Sequence, residues 1–171
     1  MRTRYITAAI VVLLGGIVAA TASAGGGGIT PTPEPGDDST TGHAFPLPAK
    51  HTYGDGWGAG RGHRGQDVFA RCGKPIIAAR GGRVKYREYQ SGAGNYIVIN
   101  GKGTPRDYMY AHLKRRAPLR VGERVSTGQK IGRVGATGNA SGCHLHFELW
   151  RGDWNGRPDV TRKLKRWDRK S

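Results

Sequence analysis

The chain has 171 residues, enough for one domain with its own core plus short flanking segments. Its 28 Lys/Arg against 12 Asp/Glu give a formal net charge of +16. Such a surface seeks polyanions. Beyond the first 24 residues no apolar stretch is long enough to cross a membrane, and no array-type repeat is present.

The N-terminus reads as an export signal. Arg2 and Arg4 precede the apolar run Ile6 to Ala20, and Ala22-Ser23-Ala24 is a small-x-small cleavage site. The other reading, an uncleaved anchor, meets a run that is short and interrupted by glycine. Cleavage after Ala24 would leave no membrane span and a net charge of +14, since residues 1–24 hold two arginines and no acid. Gly25 to Gly42 (GGGGITPTPEPGDDSTTG) has almost no apolar content and is expected to be a flexible tether.

His43 to Pro48 opens the folded part, with His43 and His51 read as surface residues. Tyr53 to Gly65 (YGDGWGAGRGHRG) reads as loop. Short strands then follow: Pro75 to Ala79, Arg83 to Tyr89, the β-branched Asn95 to Asn100, and Tyr108 to Leu113. Val121 to Gly138 is cut by glycines into short hairpin strands. No sustained 3.6-residue apolar period appears. The fold class is therefore all-β: antiparallel short strands in a sheet or barrel-sandwich. Arg162 to Ser171 (RKLKRWDRKS) is expected to be a frayed basic tail that touches an anionic surface.

Read as a strand, Ser141 to Trp150 alternates. Cys143, Leu145, Phe147 and Leu149 take one face, and His144, His146 and Glu148 take the other. Neutral imidazole is a common metal ligand. Two more histidines stand in patterned segments: His63, in His-x-x-x-Asp with Asp67, and His112, at the end of YMYAHL. Two imidazoles and a carboxylate suit zinc with an open fourth position, leaving two imidazoles for other work. There is no His-Glu-x-x-His helix and no Gly-x-Ser-x-Gly elbow. Neither cysteine has a nucleophile's setting.

In this order, His-x-x-x-Asp, Tyr-Ala-His-Leu and His-Leu-His-Phe-Glu resemble the lysostaphin/LytM-type zinc endopeptidases of bacterial cell walls. The similarity runs from about Phe45 to Trp150 and includes Val121 to Gly138. One departure is Asn100-Gly101, where the family often has His or Asp. The resemblance implies the lysostaphin-type peptidase fold over residues 43–160, followed by the tail 161–171. It implies His63, Asp67 and His146 as ligands of one Zn2+ per chain, with His112 and His144 catalytic. It also implies hydrolysis of peptide bonds in peptidoglycan stem or cross-bridge peptides by a secreted, wall-associated monomer. Peptidoglycan peptides and anionic wall polymers are the expected partners.

Glu148 either orients a ligand histidine or stands as a solvated charge at a strand end. Tyr108 and Tyr110 share parity with His112 and either line the cleft or pack. Trp57 either walls the groove or anchors its loop. Three rival readings exist. A catalytically silent wall-binding or activator protein on the same fold conflicts with the intact five-residue set. A nucleic-acid binder conflicts with the signal peptide. A lipoyl-type carrier leaves the histidines unexplained.

If the His and Asp motifs converge on one metal, Cys72 and Cys143 are drawn together, and a disulfide is expected. Strand parity would put it behind the metal, on the core side. The alternative is two buried thiols that never meet.

Overall fold

A computed structural model describes residues 42–60 and 62–171. The signal and tether readings therefore lie outside the described residues. The strands in chain order are β1 (Thr52–Tyr53), β2 (Gln66–Phe69), β3 (Pro75–Ile77), β4 (Gly82–Gln90), β5 (Gly94–Gly101), β6 (Arg106–Leu113), β7 (Arg124–Val125), β8 (Lys130–Arg133) and β9 (His144–Arg151). One helix, α1 (Thr161–Asp168), follows. Seven strands form one antiparallel sheet in the order β1-β2-β9-β6-β5-β4-β7, and β3 pairs with β8 in a second small sheet.

The large sheet has two unlike faces, and alternation explains both. On β9, Leu145, Phe147 and Leu149 enter the main core with Ile97, Ile99, Tyr108 and Tyr110. Burying each such side chain contributes about 1.5–3 kcal/mol. Val98, Met109, Ala111 and Trp150 form a smaller cluster on the opposite face, with Tyr96 packed against it. The central strand β5 is buried on both faces because Ile97 and Ile99 serve the first cluster and Val98 the second. Asn100, the departure from the family pattern, donates to Asp107 Oδ1 at 2.7 Å across the β5–β6 pair.

The C-terminal stretch corrects an expectation. It does not fray: residues 161–168 are helical, and Leu164 and Trp167 belong to the main core. The Trp167 indole lies flat against the His43 ring, with centroids 4.4 Å apart and planes 1° from parallel. His43 Nε2 also hydrogen-bonds the Tyr108 hydroxyl at 2.7 Å. His51 lies 3.2 Å from Asp168 Oδ2. Both residues, read as surface histidines, are half-buried joints between the N-terminal segment and α1.

Cys72 and Cys143 are bridged, with Cα atoms 5.3 Å apart. The expected placement holds only for one partner. Cys143 packs against the core, whereas Cys72 stands exposed in a turn after β2. The parity argument failed there because β2 ends at Phe69 and the chain is no longer extended at Cys72.

Candidate metal centre and cleft

Antiparallel pairing of β2 with β9 sets Asp67 directly opposite His146 and Phe69 opposite His144. Facing residues on one side of such a pair are close neighbours, and Asp67 Oδ1 lies 2.8 Å from His146 Nδ1. His63 arrives from the loop before β2, so its approach to Asp67 is not the work of a strand. Its Nε2 is 3.1 Å from Asp67 Oδ1 and 3.0 Å from His146 Nδ1. Gly65 makes that approach possible: a Cβ there would lie 2.7 Å from the His146 ring and from the Phe147 carbonyl oxygen. Gln66 fixes the loop from below, its buried amide donating to the carbonyls of Gly54 (3.1 Å) and Asp55 (3.0 Å).

One ligand-type atom from each of His63, Asp67 and His146 lies within 4.8 Å of the others, as a shared metal ion requires. The outer sides of both imidazoles are also held. His63 Nδ1 donates to the Gly56 carbonyl at 2.8 Å, and His146 Nε2 faces Glu148 Oε1 at 3.0 Å. Such outer hydrogen bonds are the habitual second layer of a metal site. Glu148 thus sits behind a histidine rather than in solvent, and is itself held by Trp150 Nε1 at 2.5 Å and Arg157 at 3.3 Å.

The electrostatics favour positive charge at this point. Burial opposes protonation of His146, but the hydrogen bonds it donates to Asp67 and Glu148 outweigh it and raise its pKa to about 9. Burial likewise opposes the charge on Asp67, and His146 with the neighbouring imidazoles overcomes it, holding the carboxyl below its ordinary value. Two nitrogens and a carboxylate oxygen converging, with the Glu148 carboxylate behind His146, fit a divalent cation.

His112 and His144 stand beside this group with ring centroids 4.5 Å apart. Each gives its Nδ1 proton to a carbonyl that can only accept: Thr137 at 2.8 Å for His112, Gly142 at 2.9 Å for His144. In the neutral ring each then keeps a bare Nε2. His144 Nε2 is 3.7 Å from Asp67 Oδ1. Burial pushes the His112 pKa down to about 4, the Thr137 hydrogen bond only partly opposing it, so the ring is neutral at ordinary pH.

His112 reaches the cleft by a break in the alternation. Strict parity would put it with Tyr108 and Tyr110, which are fully buried in the core. Instead β6 carries two residues, Ala111 and His112, opposite the single Tyr96 of β5. His112 has φ 57°, the only positive φ among described non-glycine residues. This bulge turns the imidazole to the same face as Met109, beside His144. The loop holding Thr137 packs tightly, since a Cβ on Gly94 would lie 2.3 Å from Thr137.

The cleft has a volume of about 1050 Å³ and runs across the sheet from Phe69 past the four histidines to Tyr86 and Glu88. Trp57 does not line it; its indole donates to the Arg157 carbonyl at 3.0 Å and anchors the glycine-rich loop. Sequence reasoning missed Gly65, Gln66 and Thr137. Gly65 and Gln66 were visible between His63 and Asp67, but Thr137 acts through a carbonyl, which every residue has.

Residues 61–158 match the model of peptidase family M23. The peptidoglycan DD-endopeptidase ShyC of Vibrio cholerae is 44% identical over 91 residues, which is 52% of this chain and 20% of that protein. The L-Ala--D-Glu endopeptidase of Bacillus subtilis is 33% identical over 147 residues, 74% of this chain and 44% of that protein. The catalytic domain of the antimicrobial peptidase lysostaphin from Staphylococcus simulans superposes with a TM-score of 0.63 at 29% identity, covering 67% of this chain and 92% of that one. The chain belongs to peptidase family M23, a family of zinc metallopeptidases that includes peptidoglycan endopeptidases. It spans a fifth to under half of the length of these curated relatives.

Proposed function

We propose that the chain is a zinc-dependent endopeptidase that hydrolyses peptide bonds in peptidoglycan stem or cross-bridge peptides. The observation that carries this reading is the convergence of His63 Nε2, Asp67 Oδ1 and His146 Nδ1 beside two bare Nε2 atoms in an open cleft. His63, Asp67 and His146 would hold one Zn2+. When bound, that ion supplies a water of lowered pKa and polarises the scissile carbonyl. His112, neutral and locked by Thr137, offers its Nε2 lone pair to take a proton from the attacking water. His144, oriented by the Gly142 carbonyl and nearer to Asp67, stands where it can hand a proton on or stabilise developing negative charge. Glu148 orients His146.

The working context follows from the N-terminal reading: export by residues 1–24, a tether over 25–42, and a monomeric enzyme at the cell wall. The catalytic domain begins near residue 43 and, in this reading, extends through α1 rather than stopping at 160. Anionic wall polymers are a second partner. The silent-activator reading is not favoured, because all five side chains are present and oriented. Mass spectrometry of products from defined muropeptides, with and without chelator, tests the proposal. Uncleaved peptides at one zinc per chain would reject it.

A further inference from the structure

Helix α1 lies outside the residues that match the family, yet it is built into the core. Its inner edge is Val160, Leu164 and Trp167. Its one acid, Asp168, is already engaged by the Tyr53 hydroxyl at 3.0 Å and His51 at 3.2 Å. What faces solvent is cationic: Arg162, Lys165, Arg166, Arg169 and Lys170. Lys165 lies 5.3 Å from the Tyr53 ring centroid. None of the five forms a salt bridge among the described residues.

The charges act on the helix in opposite directions at its two ends. Arg162 and Lys163 sit near its positive end, answered there by Asp159 Oδ1, which accepts the Thr161 N–H at 2.8 Å, whereas Lys165 and Arg166 suit its negative end. Arg162–Arg166 and Lys165–Arg169 are like-charge pairs four residues apart, each unfavourable by about 0.2–0.5 kcal/mol. A polyanion laid against these cations would relieve their mutual repulsion. Arg162, Arg166 and Arg169 fall on one stripe about 10 Å long. Guanidinium groups match phosphate oxygens in pairs better than ammonium groups do.

The geometry points to α1 as a docking surface for a linear phosphodiester polyanion, seated along the stripe Arg162, Arg166 and Arg169. Trp167 packs on Phe147, whose side chain leaves β9 on the face opposite His146 and Glu148. A polymer held there leaves the cleft open. The inference rests on the reading of anionic wall polymers as a partner, and it is independent of the peptidase chemistry.

The test is binding of the full chain to poly(glycerol phosphate) as a function of salt. The triple variant R162Q/R166Q/R169Q should bind at least tenfold more weakly, with a log–log salt slope shallower by about 2–2.7, three contacts at roughly 0.7–0.9 each. The charge-matched triple R115Q/R124Q/K130Q should change less than twofold. R162K/R166K/R169K, which keeps charge and fold, should lose several-fold because paired phosphate contacts are gone. Both glutamine triples should keep wild-type hydrolysis of a soluble muropeptide. Equal weakening by the two glutamine triples would mean diffuse attraction and overturn the proposal. Tighter binding to phosphatidylglycerol vesicles or single-stranded DNA at equal phosphate would give the surface to a lipid or a nucleic acid instead. Binding that appears only after Glu34, Asp37 and Asp38 are neutralised would give it to the chain's own acidic stretch. Because the assay reads binding alone, an inactive wild type would count against the enzymatic reading and not against this one.

Discussion

Two groups of histidines divide the molecule. His63, His112, His144 and His146 line one cleft, His63 and His146 converging with Asp67 and the other two packed beside them. His43 and His51 lie at the join between the N-terminal segment and α1, one stacked on Trp167 and the other hydrogen-bonded to Asp168. The residue type is the same, but the company differs. In the cleft the imidazoles keep a face toward open space and are oriented from behind by carbonyls and carboxylates. At the join they fill contacts and leave nothing free to react. A histidine's role here is set by which surface its element presents, not by its chemistry alone.

That contrast breaks first at the metal. Substituting His63, Asp67 or His146 by Ala should take zinc from about one per chain to near zero and abolish hydrolysis, read by metal analysis and peptide cleavage. Full zinc in all three variants would dissolve the cleft group as drawn. Next, His112→Ala and His144→Ala should retain zinc and fold while losing roughly 10²–10⁴-fold in turnover. Wild-type turnover in either would move that residue to the other group.

Outside the cleft histidines, stability should be the first quantity to respond. Cys72→Ser with Cys143→Ser opens a loop of 71 residues, worth about 4 kcal/mol in the chain-entropy model. Denaturant unfolding should show that loss, and the bond's position just before His144 predicts weaker zinc retention as well. Trp167→Ala should cost about 3 kcal/mol by emptying a core site. His51→Ala should cost about 1 kcal/mol. Neither should change turnover in the folded fraction. A turnover defect in either would mean that the join communicates with the cleft.

Much of this was written locally in the chain. The alternation of β9 and the β-branched run of β5 announced strands and their faces, because side-chain direction in a strand has a period of two and needs no partner to be read. The three His motifs and their order were equally plain. Three features belong to tertiary structure. His112 enters the cleft through a bulge against β5, and a bulge is a mismatch between two strands that one strand's pattern does not contain. Helix α1 has only two apolar residues among its eight, too few to signal a buried element until Phe147 and His43 are brought against Trp167. The disulfide pairing followed from convergence, but the exposure of Cys72 depended on where β2 stops, which its hydrogen bonds to neighbouring strands decide.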